Sequence, residues 1–231
     1  MSAFGPEFSV ELTYAKSLSP RVRGLTLRVV GAQSFEWQQG QYVELALDAT
    51  APAALYSIAS APSAKRPGEF ELAISRSGVA PDLAVGALLR ARGPFGSLLR
   101  KQPRGAPLLL VATGTGLAPL RALLQDDVAR GGQDSVTLLF GCRNESDMLW
   151  REELEALSRS EERFSFQPSL SRAGDQWTGR RGHVQTHLLE LLEQLPGAEV
   201  YLCGFTEMVR DCRALLLQQG TPADRLIGEA Y

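Results

Sequence analysis

Cysteine and histidine are scarce in this chain, and their scarcity removes several chemistries at once. Cys142, Cys203 and Cys212 are the only cysteines, too scattered for a disulfide framework and without the close pairing of a structural zinc site. A plant-type iron–sulfur cluster, which needs a C-x4-C-x2-C run, is excluded as well. The histidines, His183 and His187, stand at i, i+4, but no Glu-bearing zinc motif surrounds them, and no metal site is expected. Long apolar runs are also missing: nothing approaches the roughly 18 residues of a membrane span. Nor does one sign of charge dominate. With 24 basic and 26 acidic residues interspersed, the net charge of -2 gives no field of the kind a general nucleic-acid binder uses. The first residues carry Glu7, Glu11 and Lys16 among apolar ones, so they lack the apolar core of a signal peptide, and a cytoplasmic protein is expected.

What the chain does have is 44% hydrophobic residues arranged in two different periods. In the first hundred residues apolar and polar positions alternate. Phe8, Val10, Leu12 and Tyr14 set the pattern, and it returns over Leu25 to Val29, Val43 to Leu47 and Phe70 to Ile74. Half-buried antiparallel strands closing into a small barrel fit this half. Beyond Gly93-Pro94-Phe95-Gly96 the runs become continuously apolar: Leu108 to Ala112, Val136 to Phe140, Phe164 to Phe166 and Val200 to Cys203. Strands buried on both faces read this way. Helical segments separate or follow them: Pro119 to Ala129, Ser146 to Leu157, Gln185 to Leu195, and Thr206 to Gln219 with Thr206 as N-cap and Gly220 as stop. The expectation is an antiparallel barrel domain over 1–102, then an α/β doubly wound parallel-sheet domain over 103–231.

In such a sheet, ligands lie at the carboxyl ends of the strands. There the first buried strand runs into Gly114-Thr115-Gly116 and opens a helix, the arrangement that holds a pyrophosphate on backbone N–H groups and the positive helix end. Pro119 replaces the third glycine of the usual dinucleotide fingerprint. Two other strand ends, Gly141-Cys142-Arg143 and Cys203-Gly204-Phe205-Thr206-Glu207-Met208, converge on the same crevice. Cys212, on the apolar face of the last helix, reads as structural.

Together with Gly40-Gln41-Tyr42-Val43, Tyr56-Ser57-Ile58-Ala59-Ser60 and Ser171-Arg172, these segments make nearly the whole chain resemble the ferredoxin-NADP reductase superfamily, in which a flavin-binding barrel precedes a nicotinamide-nucleotide domain. The resemblance implies that hydride is taken from NADPH or NADH and that electrons leave the flavin for a separate acceptor. That acceptor would be ferredoxin, an oxygenase component or free flavin. It implies a bound FAD rather than FMN. Tyr56, Ser57, Ile58, Ala59 and Ser60 would line the flavin, with Ser57 at its redox-active central ring. Thr113, Gly114, Thr115 and Gly116 would hold the pyrophosphate. Cys142, Arg143, Cys203, Gly204 and Met208 would line the nicotinamide crevice, Cys203 and Gly204 flanking the ring. Ser171 and Arg172, joined by Arg180 and Arg181, would grip a 2′-phosphate and favour NADPH. Tyr231, the last residue, would be a movable gate over the flavin.

Two departures from the family pattern concern the flavin phosphates. Ala54 stands where the family has the arginine of Arg-x-Tyr-Ser, and the loop from Ser75-Arg76-Ser77-Gly78 to Pro81 is short. Arg76 and Ser77 are the residues that would compensate. Alternatives therefore stay open: an NAD(P)H:flavin reductase that releases its flavin, or a redox-silent binding or regulatory subunit.

Overall fold

The computed structural model describes residues 5–31, 35–47, 52–76, 83–100 and 105–231. Alternation in the first half gives six strands: β1 (Glu7–Ser19), β2 (Val22–Val30), β3 (Tyr42–Ala46), β4 (Ala54–Ser57), β5 (Glu69–Ser75) and β6 (Leu88–Phe95). They pair antiparallel in the order β4-β3-β6-β1-β2-β5. Inward positions such as Val10, Leu12, Leu27, Val43, Leu45, Phe70 and Leu72 are fully enclosed, as a period of two requires. Just past β4, Ile58 bridges Leu72 of β5, and the Ala59 N–H donates to the Glu71 carbonyl at 2.7 Å. The two edges thus meet, and the sheet closes into a barrel.

The second half is a parallel sheet of β7 (Leu108–Thr113), β8 (Val136–Cys142), β9 (Phe164–Leu170), β10 (Arg180–Arg181), β11 (Glu199–Gly204) and β12 (Leu226–Ala230), in the order β10-β9-β8-β7-β11-β12. Four helices cover it: α1 (Leu117–Ala129), α2 (Arg151–Ser160), α3 (Leu188–Gln194) and α4 (Thr206–Gln218). On one face α1 and α2 bury Leu120, Leu123 and Leu154 against Leu110, Leu138 and Phe140, and the barrel adds Val22, Ala59, Ala73 and Leu98 to that same core. On the other face α3 and α4 pack Leu188, Leu191, Val209 and Leu216 onto Val111, Leu139 and Leu202. The barrel therefore sits on the α1 side of the sheet.

At the join, Arg100 forms an ion pair with Asp127 near the end of α1 and reaches Asp134 at 3.2 Å, while Arg163 also pairs with Asp127. The Asp127 carboxylate has no solvent exposure, so these arginines are what make its burial tolerable. The expected boundary between 102 and 103 falls outside the described residues. No helix among the described residues is long and apolar enough to cross a membrane.

Several expected boundaries shift for local reasons. A 3₁₀ turn over Gly114–Gly116 runs into α1 at Leu117, ahead of Pro119. The helix expected from Ser146 is a 3₁₀ turn, Glu145–Asp147, followed by Trp150 at φ 49 and only then α2. Likewise, Val184–His187 is a 3₁₀ turn before α3. Thr206 is not the N-cap of α4 but its first residue; the cap position is Phe205, which makes no side-chain cap. Gly220, at φ +81, does end that helix, where the N–H groups of Gly220 and Thr221 reach the carbonyls of Leu217 and Leu216.

Candidate functional site

The loops after β7 and β11 are built around each other. A Cβ on Gly116 would lie 2.2 Å from the Cys203 carbonyl oxygen, and one on Gly204, at φ +145, would lie 2.2 Å from Thr113 Oγ1. Both positions need glycine because two backbones meet there. Thr113 completes the junction, its Oγ1 accepting the Phe205 N–H at 3.2 Å. Gly114 differs: at φ +54 its open side faces only the Phe205 ring, 3.5 Å from a would-be Cβ. Neither the Gly114–Gly116 turn nor α1 has a side-chain cap, so their leading N–H groups are free of side-chain acceptors. Such a terminus attracts an anion. The glycine pair thus differs: Gly114 is open on all but the Phe205 side, while Gly116 packs the loop.

Beside this turn, β12 brings a group that the sequence reading missed. Cys203 and Glu229 are register partners in parallel strands, so their side chains share the α1 side of the sheet. Cys203 has no solvent exposure. Its thiol is pushed up to about 12 by burial, assisted by the nearby Glu229 charge. Glu229 Oε2 is buried without a hydrogen-bond partner, and burial raises that carboxyl above its ordinary range. Tyr231 then folds over both. Its N–H donates to the Gly204 carbonyl at 3.2 Å, and its phenol end lies beside Thr115 and Cys203. Burial of that end and the adjacent thiol raise the phenol well above its usual range, although the residue as a whole stays 51% exposed. The spacing of Glu229 and Tyr231, two apart on a strand, was the available signal for Glu229.

On the barrel, Tyr56 and Ser57 are half-buried on β4, opposite Val43 and Tyr42. Behind them the two glycine motifs form one packed unit. Gly96 lies against the Tyr42 ring, 2.8 Å from a would-be Cβ, and the Tyr42 and Phe95 ring centroids are 5.7 Å apart. Ile58, Ala59 and Ser60 are buried, and their polar groups are committed within the fold. The Ile58 N–H reaches the Gln41 carbonyl at 2.9 Å, and Ser60 Oγ accepts the Glu71 N–H at 3.0 Å. These three brace the edge on which Tyr56 and Ser57 sit. The Gly114–Gly116 turn packs against β5, the strand that β4 closes onto.

A flat ring placed between these parts fits the donor set. Tyr56 offers an aromatic surface, Ser57 a hydroxyl, and the opposite side a neutral thiol, a phenol and the unpartnered Glu229 oxygen. Ala54, at the position of the family's arginine, is exposed. Arg76 is exposed at the end of β5, and Ser77 lies outside the described residues.

The far end of the crevice carries a pair of arginines. The Ser171 N–H donates to the Cys142 carbonyl at 3.0 Å, and the Arg172 N–H to the Arg143 carbonyl at 2.8 Å, which sets Arg143 beside Arg172. Both are exposed, and neither forms an ion pair among the described residues. Arg180 is not available in the same way, because Glu190 holds it through two bonds of 2.8 and 2.9 Å and Gln167 accepts from its Nε. Arg181 turns inward on its own loop, donating to the carbonyls of Gly174 at 3.0 Å and Trp177 at 2.7 Å. Met208 is buried on the opposite side of the sheet, its sulfur 3.7 Å from that of Cys212.

The family model described as oxidoreductase NAD-binding domain matches residues 110–214, the parallel-sheet half. Ferredoxin--NADP reductase B of Sorangium cellulosum (strain So ce56) is 38% identical over 239 residues, covering 97% of this chain and 97% of its own length. The phenol 2-monooxygenase reductase component DmpP of Pseudomonas sp. (strain CF600) is 30% identical over 216 residues, covering 90% of this chain but only 60% of that protein. Among solved structures, the Amycolatopsis cytochrome P450 reductase GcoB superposes with a TM-score of 0.87 at 26% identity, covering 97% of this chain and 69% of that one. Sequence, closed barrel and parallel sheet agree: the chain belongs to the ferredoxin-NADP reductase superfamily.

Proposed function

We propose that this chain is an NAD(P)H-dependent flavoprotein reductase that delivers electrons to a separate protein acceptor, a ferredoxin or an oxygenase component. The observation that carries this reading is the group formed by Cys203, Glu229 and Tyr231 at the end of the parallel sheet, beside the Gly114–Gly116 turn that packs against β5, the strand onto which the Tyr56–Ser57 edge closes. When bound, FAD supplies the exchange between a two-electron donor and one-electron acceptors.

The chain's own residues supply position and environment. Tyr56 would cover a face of the flavin ring, and the Ser57 hydroxyl would offer it a hydrogen bond. The free N–H groups of the Gly114–Gly116 turn take the nucleotide pyrophosphate, while Arg143 and Arg172 take a 2′-phosphate, which favours NADPH. Cys203 stays a neutral thiol at neutral pH, so it gives the nicotinamide a soft contact without a competing charge. Tyr231 occupies the space above Cys203 and has to swing out for a nicotinamide to enter. This geometry makes proximity the main contribution of the protein.

Ala54 supports one second reading, a reductase that releases its flavin, since loss of a charge-assisted phosphate contact costs about 1.5–3 kcal/mol. The two separate on the purified protein. A bound chromophore that bleaches anaerobically with NADPH, and cytochrome c reduction that depends on added ferredoxin, support the first. Turnover that saturates with added free flavin, in a protein holding none, replaces it with the second. A colourless protein that neither takes up flavin nor turns over NADPH with added free flavin overturns both.

A further inference from the structure

Arg121 lies one helical turn beyond Gly116 in α1, and its side chain is only 5% exposed. Its guanidinium joins the two halves of the molecule. Nη1 donates to the Ala59 carbonyl at 2.7 Å and to Glu71 at 3.0 Å, both on the barrel. Nε and Nη2 donate to the two oxygens of Glu153 on α2, each at 2.8 Å, and the cation lies 4.6 Å from the centroid of the Trp150 ring. One turn further on, Gln125 repeats the tie by accepting the Ala61 N–H at 3.1 Å and donating to Glu153 at 3.2 Å.

The barrel side of this tie is not an arbitrary surface. Ala59 and Glu71 are the residues whose backbones close the barrel, and Ala59 follows Ser57 by two positions. On the other side, α1 is continuous with the Gly114–Gly116 turn. A short rigid path therefore runs from the flavin-facing edge through one guanidinium to the nucleotide-binding turn. Apolar packing also joins the halves through Ala59, but beside it the contact opens into a cavity of about 330 Å³ lined in part by Ser60, Arg66, Glu71, Arg121, Gln125 and Glu153. Buried ion pairs contribute little net stability but can select one arrangement over others. At the opposite end of α1, the Arg100–Asp127 pair offers a fixed point about which the barrel would turn if the tie were cut.

We infer that Arg121 is a positioning residue for the electron-transfer reaction: it sets the approach of the Tyr56–Ser57 edge to the Gly114–Gly116 turn, and so the spacing between flavin and nicotinamide. The inference rests on the flavoprotein reading proposed above.

Arg121→Met removes the charge and keeps the bulk. Glu71 and Glu153, left without it, are 24% and 40% exposed and can be solvated, so the variant is expected to fold. Spin labels at Tyr14→Cys on the barrel and Leu217→Cys on α4, in a Cys142→Ser background, report the separation of the halves in protein stripped of flavin. With Arg121→Met the distance distribution should broaden. Flavin content and nucleotide affinity should stay within about twofold, and flavin reduction at saturating NADPH should slow by about ten- to a hundredfold, as a misplacement of about an ångström does. Arg121→Lys, able to satisfy only part of the set, should fall between. Glu71→Gln, which cuts the barrel arm alone, should broaden the distribution less. A distribution as narrow as that of the parent protein in both Arg121→Met and Glu71→Gln overturns the inference, whatever happens to the rate. So does an unchanged reduction rate in a broadened protein. If the parent protein takes up no flavin, the proposed function falls, while the label distances still decide whether Arg121 holds the halves together.

Discussion

Cys203 and Glu229 sit directly opposite each other on neighbouring parallel strands, and the Glu229 charge adds to burial in making the thiol harder to ionise. The carboxyl is half-buried and has one oxygen without a partner, so burial raises it above its ordinary value. An acid raised in the folded state contributes stability below its unfolded value and loses it as pH rises through the folded value. Glu229→Gln, which cannot ionise, should therefore match the parent protein in acid and become the more stable of the two towards neutral pH. Thermal melts from pH 4 to 8 check this, and parallel curves across that range would remove the ionised Glu229 as a cost.

Tyr231 covers the same thiol. Because its phenol end lies beside Thr115 and Cys203, removing the ring opens the crevice without touching the sheet. Tyr231→Ser should make Cys203 react with a small alkylating agent, identified by peptide mass, at least about tenfold faster than in the parent protein. It should also raise the affinity for both oxidised nucleotides and reduce the preference for NADP over NAD. Unchanged alkylation together with unchanged KM values would show that the residue is no gate.

The two glycines of the β7 turn should behave oppositely, although the motif treats them alike. At Gly114 an added methyl meets only the Phe205 ring, so Gly114→Ala costs chiefly the left-handed backbone, about 1–2 kcal/mol. At Gly116 the methyl meets the Cys203 carbonyl and the Gly204 nitrogen at 2.2 and 2.6 Å, neither of which can yield without parting the loops. Gly116→Ala should thus lose more than about 3 kcal/mol in denaturant titration or fail to accumulate folded. Equal losses at both positions would refute this division of labour.

That contrast shows how far the sequence could be read. Periods of two and continuous apolar runs disclosed the barrel and the four long parallel strands, because burial on one face or both leaves those patterns. They could not disclose β10, which is Arg180-Arg181, or β12, whose interior carries Gly228 and Glu229, since edge strands need no apolar run. Motif order also pointed to Tyr56, Ser57, Gly114, Cys203 and Tyr231 as site candidates. It did not show that Arg180 belongs to Glu190 or that Met208 faces the far core, because those facts depend on helices α3 and α4 folding back onto the sheet. Arg121 was invisible for the same reason: its hydrogen-bond partners are 32 to 62 residues away in the chain.

Nucleotide choice provides the sharpest test of those arginines. Arg172, exposed and without an ionic partner among the described residues, is placed beside Arg143 by a backbone bond, so a 2′-phosphate there would meet two positive charges. Arg180 is neutralised by Glu190, whose carboxyl that arginine holds below the usual range. Arg172→Ala should consequently raise KM for NADPH by about ten- to a hundredfold, the equivalent of about 1.5–3 kcal/mol, and leave KM for NADH nearly unchanged. Arg180→Met should lower thermal stability and move both KM values little. Glu190→Gln, by freeing Arg180, should shift the balance further towards NADPH, most clearly at low salt where charge is least screened. Steady-state kinetics with both nucleotides across the three variants decide between the assignments: if Arg180→Met alone carries the NADPH penalty, the phosphate lies on β10, and Arg172 is only part of the loop.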